Sequence, residues 1–127
     1  MRVACIKVVK TVGPDRGEVL ESDEGISVGQ EFSVLSILAE PQSVWPLLIQ
    51  VLHPDRGPLW YPSEMFTTVD STLPSNWVGE LRIDGSFRLA PEAWLKRGFW
   101  EEYFDHQRSG AAADSFRREL EIILRES

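Results

Sequence analysis

Residues 31–38 and 45–52 constrain this chain more than any other stretch, because both read as strands and both are apolar on two faces. Side chains alternate across a strand, so in Glu31-Phe32-Ser33-Val34-Leu35-Ser36-Ile37-Leu38 one face carries Phe32 and Val34 and the other Leu35 and Ile37. In the next strand Leu47, Ile49 and Val51 oppose Leu48 and Leu52. A strand with one wet face shows polar residues there. The pattern therefore predicts a sheet covered on its outer side, and residues 71–127 are the part of the chain available to cover it.

The stretches around these strands fill in an order. Arg2–Val9 reads as a first strand, and Gly13-Pro14-Asp15-Arg16-Gly17 must turn the chain. The segment up to Gly29 is acidic and loop-like, with Val19-Leu20 and Ile26-Ser27-Val28 as short apolar touches. Pro54-Asp55-Arg56-Gly57 is turn chemistry leading into Leu59-Trp60-Tyr61. Its twin at Pro14–Gly17 has unrelated flanks, which indicates convergent turns and no internal repeat. Further on, Trp77–Ile83 reads as a strand, Asp84-Gly85 as a hairpin turn, and Phe87-Arg88-Leu89 as its return. Pro91 suits the first turn of a helix. Trp94, Leu95, Phe99, Trp100, Tyr103 and Phe104 follow at near-helical spacing, interrupted by Gly98. Ala111–Arg125 is the strongest helix, with Phe116, Leu120, Ile123 and Leu124 as its apolar stripe.

At 127 residues and 43% hydrophobic, the chain is long enough for one domain with its own core, without disulfides. Cys5, the one cysteine, lies in the apolar run Val3-Ala4-Cys5-Ile6 and reads as a buried inert thiol. No apolar run approaches the ~20 residues of a membrane span. A reducing, cytoplasmic location is the expectation. Thirteen basic and 20 acidic residues give a net charge of −7. Residues 1–70 hold 5 basic and 10 acidic side chains, and residues 71–127 hold 8 and 10. That balance argues against nucleic acid, whose phosphates require clustered Lys and Arg, and suits a basic protein partner or plain solubility.

The order of parts in the first half resembles a Src-homology-3-like barrel. The correspondence runs through a first strand Arg2–Val9, a long acidic loop 10–30, strands Glu31–Leu38 and Trp45–Leu52, the turn Pro54–Gly57, a one-turn helix Pro62–Glu64 and a last strand Met65–Val69. Gly57-Pro58-Leu59-Trp60-Tyr61-Pro62-Ser63-Glu64-Met65-Phe66 is similar to that family's Pro-Ser-Asn-Tyr ending. The resemblance implies a small bent antiparallel barrel in residues 1–70; with the β-hairpin read in 71–90 and the packed helices in 91–127, the expectation is a single α+β domain. The resemblance does not imply the family's groove for proline-rich peptides. No tyrosine precedes Tyr61, Met65 falls where the groove tyrosine would be, and Trp45, near the ligand-gripping tryptophan, is followed by Pro46.

Catalysis finds little support. His53 and His106 have no spacing to a cysteine or serine nucleophile, and no phosphate loop occurs. Glu101, Glu102, Asp105 and His106 read as a solvated face rather than metal ligands. No cofactor is expected. The aromatic run Trp94–Phe104 reads as packing that seals helices onto the sheet, with one or two rings left outside, against the alternative of an interface hot spot.

From Pro74 onward, Pro-Ser-Asn-Trp77, Asp84-Gly85, Leu89-Ala-Pro-Glu-Ala-Trp94, Gly98-Phe-Trp-Glu-Glu-Tyr-Phe-Asp105 and Ala113-Asp-Ser-Phe116 resemble small bacterial proteins associated with immunity to toxins. This resemblance implies a non-catalytic protein that binds a cognate, basic toxin. The competing expectation is a Src-homology-3-like peptide-binding or assembly module. The candidate partner-binding residues are Glu18, Glu21, Asp23 and Glu24, four carboxylates with no basic group between them, together with Trp45.

Overall fold

The computed structural model describes residues 1–9, 25–106 and 109–127 in full, and residues 19–20 and 22–23 by their backbone. Strand β1 (Arg2–Cys5) is followed by four two-residue strands: β2 (Val8–Val9) pairs with β3 (Val19–Leu20), and β4 (Ser22–Asp23) with β5 (Ile26–Ser27). The expected strand Arg2–Val9 is thus broken at Ile6-Lys7, where both backbone N–H groups turn to the Met65 carbonyl. Then come the long strands β6 (Glu31–Ala39), β7 (Leu47–His53) and β8 (Gly57–Pro62), a 3-10 turn Ser63–Met65, and β9 (Phe66–Asp70). A hairpin of β10 (Trp77–Leu81) and β11 (Phe87–Pro91) leads to a second 3-10 turn, Glu92–Leu95, and to helices α1 (Phe99–Asp105) and α2 (Gly110–Glu126). Pro91, expected inside a helix, ends β11 and caps that 3-10 turn instead.

The main sheet is antiparallel and seven-stranded, with β6 at its centre. The first third of β6 pairs with β1, while its last third, Ile37–Ala39, pairs with β7 and β11 together. The sheet is open. Among the described residues β8 pairs with β7 alone and β9 with β1 alone, so the sheet does not close on itself. β11 and β10 extend the sheet beside the last third of β6. The coarser expectation, an antiparallel sheet with C-terminal helices, holds.

Two cores lie on opposite faces of β6. The first gathers Val3, Cys5, Phe32, Val34, Ile49, Val51, Met65 and Phe66. The second gathers Leu35 with Trp94, Phe99, Tyr103, Ala112, Ala113, Phe116 and Ile123. Residues 71–127 do cover the outer face. One assignment fails: Ile37 packs against the first core, not beside Leu35. The β6–β7 register shifts between Val34 and Ser36, so Leu35 and Ser36 together oppose Gln50. Such a β-bulge restarts the alternation, which returns Ile37 to the face of Val34. In α2, Leu124 is 48% exposed, and Ala112 and Ala113 take its expected share of the packing. Of the aromatic run, Trp94, Phe99 and Tyr103 are buried and Phe104 is the ring left outside.

The bulge also places Ser36 and Gln50 side by side, both buried, with Ser36 Oγ donating to Gln50 Oε1 at 2.6 Å. A buried acceptor stripped of its donor is costly, whereas removing both partners is far less so. Ser36→Ala is expected to lose about 1–3 kcal/mol, and Ser36→Ala/Gln50→Leu markedly less than the sum of the single losses. Urea melts of the two singles and the double check this, and additive losses would show that the pair is uncoupled.

Candidate functional site

The hairpin β10–β11 and the segment that follows it build a cleft. Asp84 makes the hairpin turn: its Oδ1 accepts from the Ser86 backbone N–H at 2.9 Å and from Ser86 Oγ at 2.6 Å. The Ser86 hydroxyl and then its N–H hold the Asp84 carboxyl below the usual carboxylate range. The antiparallel register sets Glu80 opposite Arg88, on one face of the hairpin. After the second 3-10 turn, Gly98 adopts φ +83°, a left-handed conformation that a side chain would disfavour. That reversal starts α1 and leaves Lys96 and Arg97 exposed at the rim.

The resulting cleft has a volume of about 490 Å³ and is lined by Glu80, Arg82, Arg88 and residues 94–101. Arg82, Arg88, Lys96 and Arg97 against Glu80 and Glu101 give it a formal charge of +4 − 2 = +2, on a chain of net −7. Arg82 Nε pairs with Glu80 Oε1 at 2.5 Å. Arg88 makes no salt bridge among the described residues; its guanidinium carbon lies 5.5 Å from the Trp60 ring centroid. Burial, and then the nearby Arg82, push the Arg88 pKa below the ordinary arginine value, with Glu80 and Glu40 opposing. Three buried N–H donors here, Arg88 Nε, Trp94 Nε1 and Trp100 Nε1, find no protein acceptor among the described residues.

A second feature lies on the other face of the same hairpin. The register aligns Leu81 with Phe87, Phe87 with Ala39, and Ala39 with Leu47, a single row across β10, β11, β6 and β7. Leu81 is 75% exposed, and Phe87 and Leu47 are each well exposed. Phe87 is seated over Gly79, where an added Cβ would come within 3.0 Å of its ring. Ile83, at the hairpin tip, is fully exposed.

The residues expected to bind a partner fall elsewhere. Glu18, Glu21 and Glu24 lie outside the described residues, as does the side chain of Asp23, whose backbone forms part of β4. Trp45 lies just before β7, half-buried against the first core. Neither the cleft nor the apolar row was legible beforehand, because only strand register unites Arg82 with Arg88, or Leu47 with Leu81. Among the groups with catalytic potential, the Cys5 thiol is buried, which pushes its pKa up, and its Sγ donates to the Lys7 carbonyl at 3.4 Å. His53 is buried beside the Pro54–Gly57 turn, where its Nδ1 accepts the Asp55 and Arg56 backbone N–H groups at 3.0 and 3.1 Å. That geometry requires the proton on Nε2. His106 is exposed at the end of α1. Among the described residues, no group of three His, Cys, Asp or Glu side chains could hold a metal ion, and no helix is long and apolar enough to cross a membrane. No protein family, curated protein or solved structure matches this chain.

Proposed function

We propose that this chain is a non-catalytic protein-binding protein whose partner seats on the apolar row Leu81, Phe87, Ala39 and Leu47. The row carries the reading: an exposed apolar strip on a sheet is a surface that a protein partner gains by covering. The partner class is a cognate toxin that the chain neutralises, a reading supported by the Pro74–Phe116 pattern. The acidic stretch Glu18, Glu21, Asp23 and Glu24 steers the approach of a basic toxin. A second reading is a modified Src-homology-3-like module. The strand order β8-β7-β6-β1-β9, with the 3-10 turn between β8 and β9, favours that kinship. A groove for proline-rich peptides is disfavoured, since Met65, in the place of the groove tyrosine, is fully buried.

The test is to look for a toxin gene beside this one and to measure growth rescue and binding against its product; a neighbourhood without one counts against the immunity reading. Co-expression is expected to restore growth; failure to do so overturns the immunity reading. With that toxin, Leu47→Asp/Leu81→Asp is expected to weaken binding by about tenfold or more, since each tenfold is only ~1.4 kcal/mol. Replacing Glu18, Glu21 and Glu24 by Gln and Asp23 by Asn should slow association and flatten its salt dependence in stopped flow. An unchanged on-rate and salt slope would remove the steering role while leaving the seat intact.

A further inference from the structure

The cleft on the helix side of the hairpin is a cationic pocket on an acidic protein, and its charges are arranged at a cost. Arg88 is half-buried, lies near a like charge in Arg82 that Glu80 and Glu40 oppose, and lacks a salt bridge among the described residues. Like charges brought together in a partly desolvated place repel more strongly than they would in water. Trp94 is 1% exposed, lines the cleft, and has an indole N–H that no described protein group accepts. Arg88 Nε–H and Trp100 Nε1–H are in the same condition. A group able to satisfy these donors must be an acceptor, and one able to relieve Arg88 must be negative. Lys96 and Arg97 at the rim extend the same preference outward.

We propose that the cleft between β10–β11 and residues 94–101 is an oxyanion-binding site, taking a carboxylate or phosphate group against Arg88 and the Trp94 indole N–H. Arg88 supplies the charge-assisted hydrogen bonds, in which a guanidinium engages two oxygens of a carboxylate or phosphate at once. Trp60, beneath the guanidinium, restrains its plane. Glu80 holds Arg82 at the edge of the site. The site is distinct from the apolar row, which lies on the opposite face of the hairpin, and it does not depend on the identity of any toxin.

The experiment is a titration of the full, ¹⁵N-labelled chain, following the Arg88 Nε–H and tryptophan indole N–H resonances. Inorganic phosphate and a short polyglutamate peptide are the two probes, each against sodium chloride at equal ionic strength. Saturable shifts at Arg88 and Trp94 with either probe, absent with chloride, are the expected result. Tighter binding of the peptide assigns the oxyanion to an acidic segment of a protein, and tighter binding of phosphate to a free anion. Arg88→Gln should weaken the interaction at least tenfold. Because Arg88 is half-buried, Lys96→Gln/Arg97→Gln provides a variant changed only at exposed rim positions, expected to weaken it severalfold. Shifts no larger than those with chloride, or saturable binding untouched by both variants, would overturn the site.

Discussion

Replacing Trp94 with alanine is expected to destabilise the chain by about 3–5 kcal/mol, the range for removing a large aromatic from a packed interior. Trp94 is 1% exposed and stands where three elements meet. Its ring stacks on Phe116 of α2 at 5.0 Å between centroids and an interplanar angle of 11°, and meets the edge of Trp100 of α1 at 5.6 Å. Removal leaves a cavity that neighbouring rings cannot fill without giving up their own pairings. Tyr103, 4.9 Å from Phe116, is held by the same cluster. Domains of this kind are stable by only about 5–15 kcal/mol, so the loss is a large fraction of the whole. Urea unfolding followed by far-ultraviolet circular dichroism reads it directly. A loss below about 1 kcal/mol, less than typical for a buried ring, would mean that the cluster does not hold the helices to the sheet.

Leu35→Ala is expected to cost about 2–5 kcal/mol, because Leu35 is fully buried and, among the described residues, is the strand residue buried in the second core. Its place depends on the β-bulge that pairs Leu35 and Ser36 against Gln50. Ile37, two residues on, belongs to the other core. The two positions therefore separate the cores experimentally. Leu35→Ala should shift the indole N–H resonances of Trp94 and Trp100, while Ile37→Ala should leave them in place. If Ile37→Ala moved those resonances as much as Leu35→Ala, the bulge would not be where the register places it.

The same bulge marks how far the sequence could be read. Residues 31–38 announced apolar character on both faces, and that was enough to require a cover from residues 71–127. Simple alternation then assigned Ile37 to the wrong side, since an inserted residue leaves no mark in a hydrophobic pattern. Leu124 failed in a related way. Its apolar character and helical spacing are those of Phe116 and Ile123, but Ala112 and Ala113 are buried in the second core while Leu124 stays exposed. The Pro54–Gly57 turn was plain from residue types, and Gly57 adopts φ +80° there. That His53 would supply an acceptor for two of its N–H groups was not.

By itself, the sequence determined the long strands of the sheet, where the chain turns, which helix is amphipathic, and that the whole carries −7. These follow from local preference and periodicity, which act over a few residues. Tertiary structure alone decided that the sheet stays open, because closure depends on whether β11 or an edge strand takes the side of β6. It alone decided which charges meet as well. Arg82, Arg88, Lys96 and Arg97 are scattered through 16 positions of an acidic chain, and hairpin register and the reversal at Gly98 gather them into one cationic cleft. Electrostatic interaction depends on distance in space, and a sequence records only distance along the chain.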